Sequence, residues 1–436
     1  MKSITEISQS YQDGSLNPVG VTQDCLNTIA EKDDTYGAFQ TVYSDQAKLA
    51  AESAAERLAS GNAIGRFDGI PFALKDNIDI EGLITTGGAV EYRHRISPTT
   101  ASVAQRLLDA GGILVGKTKL VELAFGGWGT NQCVGTPRNP HDMKTHRCPG
   151  GSSSGSAVAV SAGLVPCAVG TDTGGSVRGP AAWCGIVGLK TTQGLLSNDG
   201  VIPLSHTLDT IGPMTQTIDD AALMLDVMCG NKNSGIRSTA SVAGMRLAIL
   251  TDDERETVES GILELYDQAC EQARQQGAVC EPLHTDLSFD EMNLLNGHIT
   301  ACEAWYHHGE LYSNPDATVD PDIKKRMLVG KGRSASEYIS ALQEREKHRT
   351  LFARAFAPYD LLLTPTLPMA APAIDQVDQS TTPAQFTRAV NYLSLCGISV
   401  PIGMTVEHLP GGLQIVARGG EEEAVLKVGK FFEQYN

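Results

Sequence analysis

None of the ten cysteines stands in a Cys-x-x-Cys pair, so zinc-ribbon and thioredoxin-type sites have no support. Ten cysteines over 436 residues are also too sparse for a disulfide scaffold. Cys167, Cys184 and Cys396 lie in surroundings where a reduced thiol packs as a small apolar group. No run of 18 apolar residues occurs, so no segment reads as a membrane-crossing helix. Basic residues are scarce: 34 Lys and Arg stand against 51 Asp and Glu, a formal charge of −17. That balance argues against nucleic acid and against an anionic membrane as partners. The first residues lack the basic, apolar and cleavable succession of a secretory leader. Instead Ser3-Ile4-Thr5-Glu6 reads as a capping box opening a helix. A reducing cytoplasm is the expected setting. No internal repeat and no low-complexity linker divides the chain.

What is present is an ordinary globular composition, 41% hydrophobic and 19% charged, at a length able to bury a large core. Residues 1–60 are polar and helix-rich, 46–58 above all. From Gly69 short apolar runs divided by glycine take over. Residues 102–110 read as a helix with Val103 and Leu107 on one face, ended by Gly111-Gly112, and Ile113-Leu114-Val115 reads as a strand. The same rhythm returns with a small-residue helix over 153–162, a strand over 164–169 and a turn at Gly174-Gly175. Pro180 suits the first turn of a further helix. Residues 217–228 carry an apolar helical face, and 245–250 read as a strand feeding an acidic helix over 254–275. Residues 284–355 read as helical, 361–366 and 398–401 as strands. A last helix over 421–435 buries Val425, Leu426, Val428 and Phe432. Strands alternating with helices in apolar runs predict an α/β protein whose sheet is covered on both faces.

Two small-residue clusters hold the serines Ser152 and Ser176. One is Pro149-Gly150-Gly151-Ser152-Ser153-Ser154-Gly155-Ser156, the other Gly170-Thr171-Asp172-Thr173-Gly174-Gly175-Ser176-Val177-Arg178. Upstream, Lys75 stands in the apolar stretch Pro71-Phe72-Ala73-Leu74-Lys75-Asp76-Asn77. Acyl transfer needs a hydroxyl nucleophile, an acceptor for its proton and bare backbone N–H groups around the developing oxyanion. Serine, a neutral lysine and glycine-rich turns supply these three. No histidine lies near Ser176 in sequence, so Lys75 is the expected base, and burial must lower its pKa from about 10.4. Asp76 and Asp79 would oppose that shift if they faced it.

No Gly-Lys-Ser/Thr ends the cluster at 149–156, so it is not a phosphate loop. Gly151-Ser152-Ser153-Ser154-Gly155 does fit the Gly-x-Ser-x-Gly nucleophile elbow, which would make Ser153 the nucleophile with, for example, Asp360 and His408. An elbow follows a buried strand directly, and Thr145-His146-Arg147-Cys148-Pro149 makes a poor one.

These segments resemble the amidase signature family, serine hydrolases with a Ser-cisSer-Lys triad. The likeness runs over 149–190, including Gly179-Pro180-Ala181-Ala182-Trp183-Cys184-Gly185 and Gly188-Leu189-Lys190. It continues more weakly at Arg138-Asn139-Pro140, Leu208-Asp209-Thr210-Ile211-Gly212-Pro213, Ile398-Ser399-Val400-Pro401 and Gly411-Gly412-Leu413-Gln414-Ile415. The resemblance implies a single α/β/α domain with a large mixed central sheet. Within it, 1–60 would be N-terminal helices, 61–245 the signature core, 246–380 a variable substrate-pocket region, and 381–436 returning strands with a C-terminal helix. It implies Ser176 as nucleophile, Ser152 as bridging serine and Lys75 as terminal base. The backbone N–H groups of Thr173, Gly174, Gly175 and Ser176 would form the oxyanion hole. Phe125 and Trp128 match a region near the acyl pocket, with core packing and pocket lining both open for them. Asp172 and Arg178 would brace the nucleophile turn, and 285–345 with 370–395 would supply much of the pocket.

The activity implied is hydrolysis of a carboxamide or urea-type C–N bond through a seryl acyl-enzyme, releasing ammonia or an amine, with no metal and no cofactor. The expected partner is a small amide substrate, with neither nucleic acid nor membrane, and a homodimer is the commonest assembly. The alternative within the same family is the glutamine-hydrolysing component of a tRNA-dependent amidotransferase complex.

Overall fold

Five consecutive buried residues, Pro71–Lys75, form a central strand of the computed structural model, which describes residues 1–231 and 241–435. The part of the 61–245 segment at 232–240, and Asn436 in the last segment, lie outside the described residues. In chain order the strands are β1 Phe39–Val42, β2 Pro71–Lys75, β3 Ile113–Thr118, β4 Cys167–Asp172, β5 Val187–Lys190, β6 Thr210–Thr215, β7 Arg246–Ile249, β8 Val279–Pro282, β9 Leu361–Pro365, β10 Cys396–Met404 and β11 Pro410–Ala417. They make one sheet in the order β1-β3-β2-β4-β6-β5-β10-β11-β9-β7-β8. β2 runs parallel to β3 and β4, β7 runs parallel to β8 and β9, and the other pairs are antiparallel. The large mixed sheet and α/β/α architecture are those implied by the resemblance.

Alternation along the strands sets the two faces. On β2, Phe72 and Leu74 join an apolar cluster with Ile4, Val103, Leu107 and Met224, while Ala73 joins another with Ala47, Ala51, Ala157 and Val158. The helices Ile4–Gln12, Ser102–Asp109 and Ile218–Met228 therefore cover one face, and Ser44–Ala59 with Ser154–Ser161 the other. The far half of the sheet packs Leu363, Ile398 and Ile415 against Tyr266, Phe352 and Phe432. Each fully buried side chain of this size contributes about 1.5–3 kcal/mol. Among the described residues no helix is long and apolar enough to cross a membrane.

Local signals held where they were strongest. Ser3 and Glu6 form the capping box, and Thr217 caps Ile218–Met228 by accepting from Asp220 N. Val425, Leu426, Val428 and Phe432 are buried on the last helix, Glu422–Glu433. Two elements moved. The strand expected over 164–169 is β4, three residues later, because Pro166 cannot donate to a ladder and Cys167–Asp172 pairs along its whole length with β6. The acidic helix over 254–275 is two, Asp252–Arg255 and Ser260–Gln275, because Glu259 N donates to the Pro368 carbonyl instead of along a helix. Residues 111–118 also spell Gly-x-x-x-x-Gly-Lys-Thr, the phosphate-loop pattern. They are no such loop: 113–118 is β3, and Lys117 Nζ is buried 3.6 Å from Asp76 Oδ1.

Candidate active site

β2 and β4 are parallel neighbours, with Ala73 opposite Ala168 and Leu74 opposite Val169. Their carboxyl ends open at one edge of the sheet, where crevices of open α/β sheets form. Lys75 closes β2, and Thr171 with Asp172 closes β4. The helix Ser154–Ser161 packs on both strands, with Ser152 and Ser153 just before its first turn. Gly170 permits that approach, since a Cβ there would lie 2.8 Å from Ser153 Oγ. The Gly151–Ser152 peptide bond is cis.

Lys75 and Ser152 are brought together. Lys75 Nζ lies 2.8 Å from Ser152 Oγ, 2.7 Å from Thr171 Oγ1 and 3.4 Å from the Thr171 carbonyl. Thr171 Oγ1 also accepts from Asn77 Nδ2 at 3.2 Å. Removal from water lowers the Lys75 pKa from 10.5 to about 7, against the opposing pull of Asp172 and Asp209. Neither Asp76 nor Asp79 engages it. Asp76 accepts from Thr86 N and faces Lys117, and Asp79 pairs with Arg95 at 2.7 Å. A neutral amine keeps two N–H donors and one lone pair. Nζ can thus donate to Thr171 and accept the Ser152 hydroxyl hydrogen.

Ser176 lies against the same turn, its carbonyl accepting from Ser153 N at 3.2 Å. It lines a cavity of about 40 Å³. Among the described residues its hydroxyl makes no hydrogen bond, so the Lys75–Ser152 half of the expected relay is closed and the Ser152–Ser176 half is open.

Of the four N–H groups expected around the oxyanion, that of Gly175 is taken: it donates to Asp172 Oδ1 at 2.7 Å. Those of Thr173, Gly174 and Ser176 have no partner among the described residues, and all three residues line the cavity. Asp172 is the reason. Its carboxylate also accepts from Val177 N at 3.1 Å, from Arg178 Nε and Nη2 at 3.0 and 2.9 Å, and from Asn391 Nδ2 at 3.0 Å. Burial alone would raise its pKa, but the Arg178 charge and these hydrogen bonds hold it far below the usual carboxylate range. Arg178, equally buried, completes its donors on Gln414 Oε1 and Asn391 Oδ1. Asp172 and Arg178 thus fasten the nucleophile turn to β11 and to the helix Gln385–Tyr392.

Phe125 lines the cavity, whereas Trp128 packs on Trp183 with ring centroids 5.8 Å apart and donates to the Thr381 carbonyl. Of the two roles open for Trp128, the core claims it. From the expected pocket segments, Asn296, Thr300, Thr382 and Thr387 reach the cavity wall. Nothing assembles around Ser153 as a nucleophile elbow would: Ser153 Oγ donates to the Thr171 carbonyl, Asp360 accepts from Arg246 N, and His408 is exposed. Among the described residues no three His, Cys, Asp or Glu side chains are grouped to hold a metal ion. Thr171, Asn391 and Arg388 belong to the site without having been singled out. Thr171 had a signal, its place beside Asp172 in the second motif. The other two are polar residues of a helix more than 200 positions on, with no pattern to mark them.

The family model described as Amidase matches residues 20–426. The chain is similar along its whole length to the glutamyl-tRNA(Gln) amidotransferase component of that family from Carboxydothermus hydrogenoformans, 32% identical over 473 residues, covering 99% of this chain and 96% of that protein. Among solved structures it is similar to one described as an unexpected vestigial protein complex that reveals the origins of an s-triazine catabolic enzyme. There the TM-score is 0.91 at 28% identity, with 99% and 98% of the two chains covered. It is similar also to the native peptide amidase of Stenotrophomonas maltophilia, with TM-score 0.85, 27% identity, and 99% and 96% covered. One expectation is overturned here. The acidic balance was set against a nucleic-acid partner, yet a relative similar over its full length carries a tRNA in its name and is one component of an assembly. Net charge averages the whole surface, so it cannot exclude a local contact or one supplied through another protein of the assembly.

Proposed function

The chain belongs to the amidase family, hydrolases of carbon–nitrogen bonds other than peptide bonds, and on that premise we propose that it opens an amide through a seryl acyl-enzyme on Ser176. The observation that carries this is the sealed 2.8 Å contact of Lys75 with Ser152 beside the cavity that Ser176 lines. With a pKa of about 7, Lys75 offers a lone pair in a large share of molecules at neutral pH. Lys75 accepts the Ser152 proton, and Ser152 accepts that of Ser176 as Ser176 Oγ bonds to the amide carbon. Negative charge moves to the amide oxygen, where the N–H groups of Thr173, Gly174 and Ser176 stabilise it. The C–N bond then breaks as the relay returns a proton to the nitrogen, which departs as ammonia or an amine. Water attacks the ester, gives its proton to the same relay, and frees the acid and Ser176. The cycle requires Ser176 Oγ to reach Ser152 Oγ, a contact that substrate-free sites often lack.

A second reading is favoured by the relatives: the chain acts as the glutamine-hydrolysing component of a tRNA-dependent amidotransferase and hands ammonia to a partner. Full-length similarity to a protein of that name supports this more directly than a free-standing amidase. Ten free cysteines suit a reducing cytoplasm under either reading.

Fluorophosphonate labelling followed by peptide mass spectrometry tests the nucleophile. Label on Ser176 in the native protein and its loss in Lys75→Ala sustain the assignment; label on another serine, or equally fast labelling of Ser176 in Lys75→Ala, refutes it. Glutaminase activity measured alone and in the assembly isolated from cells separates the two readings.

A further inference from the structure

Arg388, on the helix Gln385–Tyr392, stands in the wall of the Ser176 cavity. Its stem packs on the backbone of Gly174, where a Cβ would lie 2.8 Å from Arg388 Cγ and 3.4 Å from Nε. The guanidinium therefore flanks one of the N–H groups that face the oxyanion. On its other side Nη1 donates to Asn293 Oδ1 at 3.0 Å and to the Asn293 carbonyl at 3.4 Å. Among the described residues Nε and Nη2 donate to nothing, and no carboxylate forms an ion pair with the group. Loss of water, with the nearby charge of Arg326, brings its pKa down from 12.5 to about 10. Arg326 differs, for its donors are occupied by the Phe125 carbonyl and by Gln379. No acidic residue lines the cavity. A desolvated cation without a counter-ion is unfavourable unless a ligand brings the charge, and the planar guanidinium fork matches a carboxylate through two N–H groups.

We propose that Arg388 recognises a carboxylate on the substrate, so that the preferred substrate is a small carboxamide bearing an anionic group and no ammonium. A cavity of about 40 Å³ holds about three water-sized groups, which suits the monoamide of a short dicarboxylic acid. An α-amino acid amide adds an ammonium that would meet Arg388 and no carboxylate. The inference rests on the Ser176 acyl-enzyme reading. The overall reaction balances as carboxamide plus water giving dicarboxylate plus ammonium; the carboxylate held by Arg388 stays unchanged.

The test compares kcat/KM for glutaramate, for valeramide, which lacks the carboxylate on the same carbon chain, and for glutamine, which adds an α-ammonium to glutaramate. Glutaramate is expected to exceed valeramide by about 100-fold or more and to exceed glutamine. Arg388→Gln is expected to cut the glutaramate-to-valeramide ratio by about 30-fold, chiefly through KM, with Arg388→Lys intermediate. A native ratio near one, or a ratio unmoved in Arg388→Gln, overturns the proposal. Glutamine turned over faster than glutaramate overturns it too and favours the amidotransferase reading. If Arg388→Gln does not fold, the native ratios and Arg388→Lys decide. Fluorophosphonate labelling separates the two levels. Labelled Ser176 with a flat ratio, or with none of the three amides hydrolysed, removes only the charge rule. Absence of both labelling and turnover removes the acyl-enzyme reading and this inference with it.

Discussion

Lys75 Nζ and Ser152 Oγ stand 2.8 Å apart with both side chains fully buried. Because burial brings the Lys75 pKa to about 7, kcat/KM should rise about tenfold per pH unit below 7 and level off above it. Stability carries the same signature. Between about 7 and 10.5 the native lysine holds fewer protons than the unfolded one, so its contribution to stability grows with pH across that window. Lys75→Arg, permanently charged, should lose both the limb and most of the turnover. A rate that stays flat from about pH 5.5 to 8.5 contradicts this role for Lys75.

Ser176→Ala should lower kcat by about 10⁴-fold or more, because no other hydroxyl is set to form the ester. Ser152→Ala should cost about 10²–10⁴-fold, the usual worth of a positioned proton carrier. Steady-state ammonia release measures both. Equal turnover in native and Ser152→Ala protein would show that the proton travels another way.

Asp172→Ala should destabilise the protein by about 3–5 kcal/mol, because it strands Arg178, whose side chain has no exposed surface. The same change frees Gly175 N and Val177 N from their carboxylate. Activity should therefore fall even below the melting temperature. Denaturant titration and single-turnover kinetics on the same sample test this, and an unchanged midpoint would rule it out.

Gly175→Ala should be damaging despite its small size. The residue has φ of +123°, and a Cβ would lie 2.2 Å from Thr387 Oγ1. Either Thr387 shifts or the turn does, at about 1–3 kcal/mol. Thr387→Ser leaves that hydroxyl in place and should not rescue it, whereas Thr387→Gly should recover part of the stability, as read from thermal melts.

The elements that announced themselves in sequence are those whose stability is local. Ser102–Asp109, Ile218–Met228 and Glu422–Glu433 each present an apolar face at helical spacing, and a face of that kind needs only some apolar neighbour. Four-residue strands such as β5 and β8 are too short for a period to show. Gly170-Thr171-Asp172 looks like loop, yet it is strand because β6 pairs with every residue of it. The Lys75–Ser152–Ser176 set was legible because two glycine-serine motifs flank one strand and helix. Arg388 and Asn391 were not: each acts through a partner more than 200 residues away, and a side chain with one long-range partner leaves no periodic trace.

Composition and motif order alone established an α/β chain, the likeness to serine amidohydrolases and the three side chains of the proton path, since the chemistry demands those residue types on glycine-rich turns. Folding settled the rest. It alone took Lys75 out of water, gave the Gly175 N–H to Asp172, sent Trp128 to the core and left Arg388 without a counter-ion. Desolvation and the pairing of donors with acceptors depend on what surrounds a group in space, and neighbours along the chain do not set that.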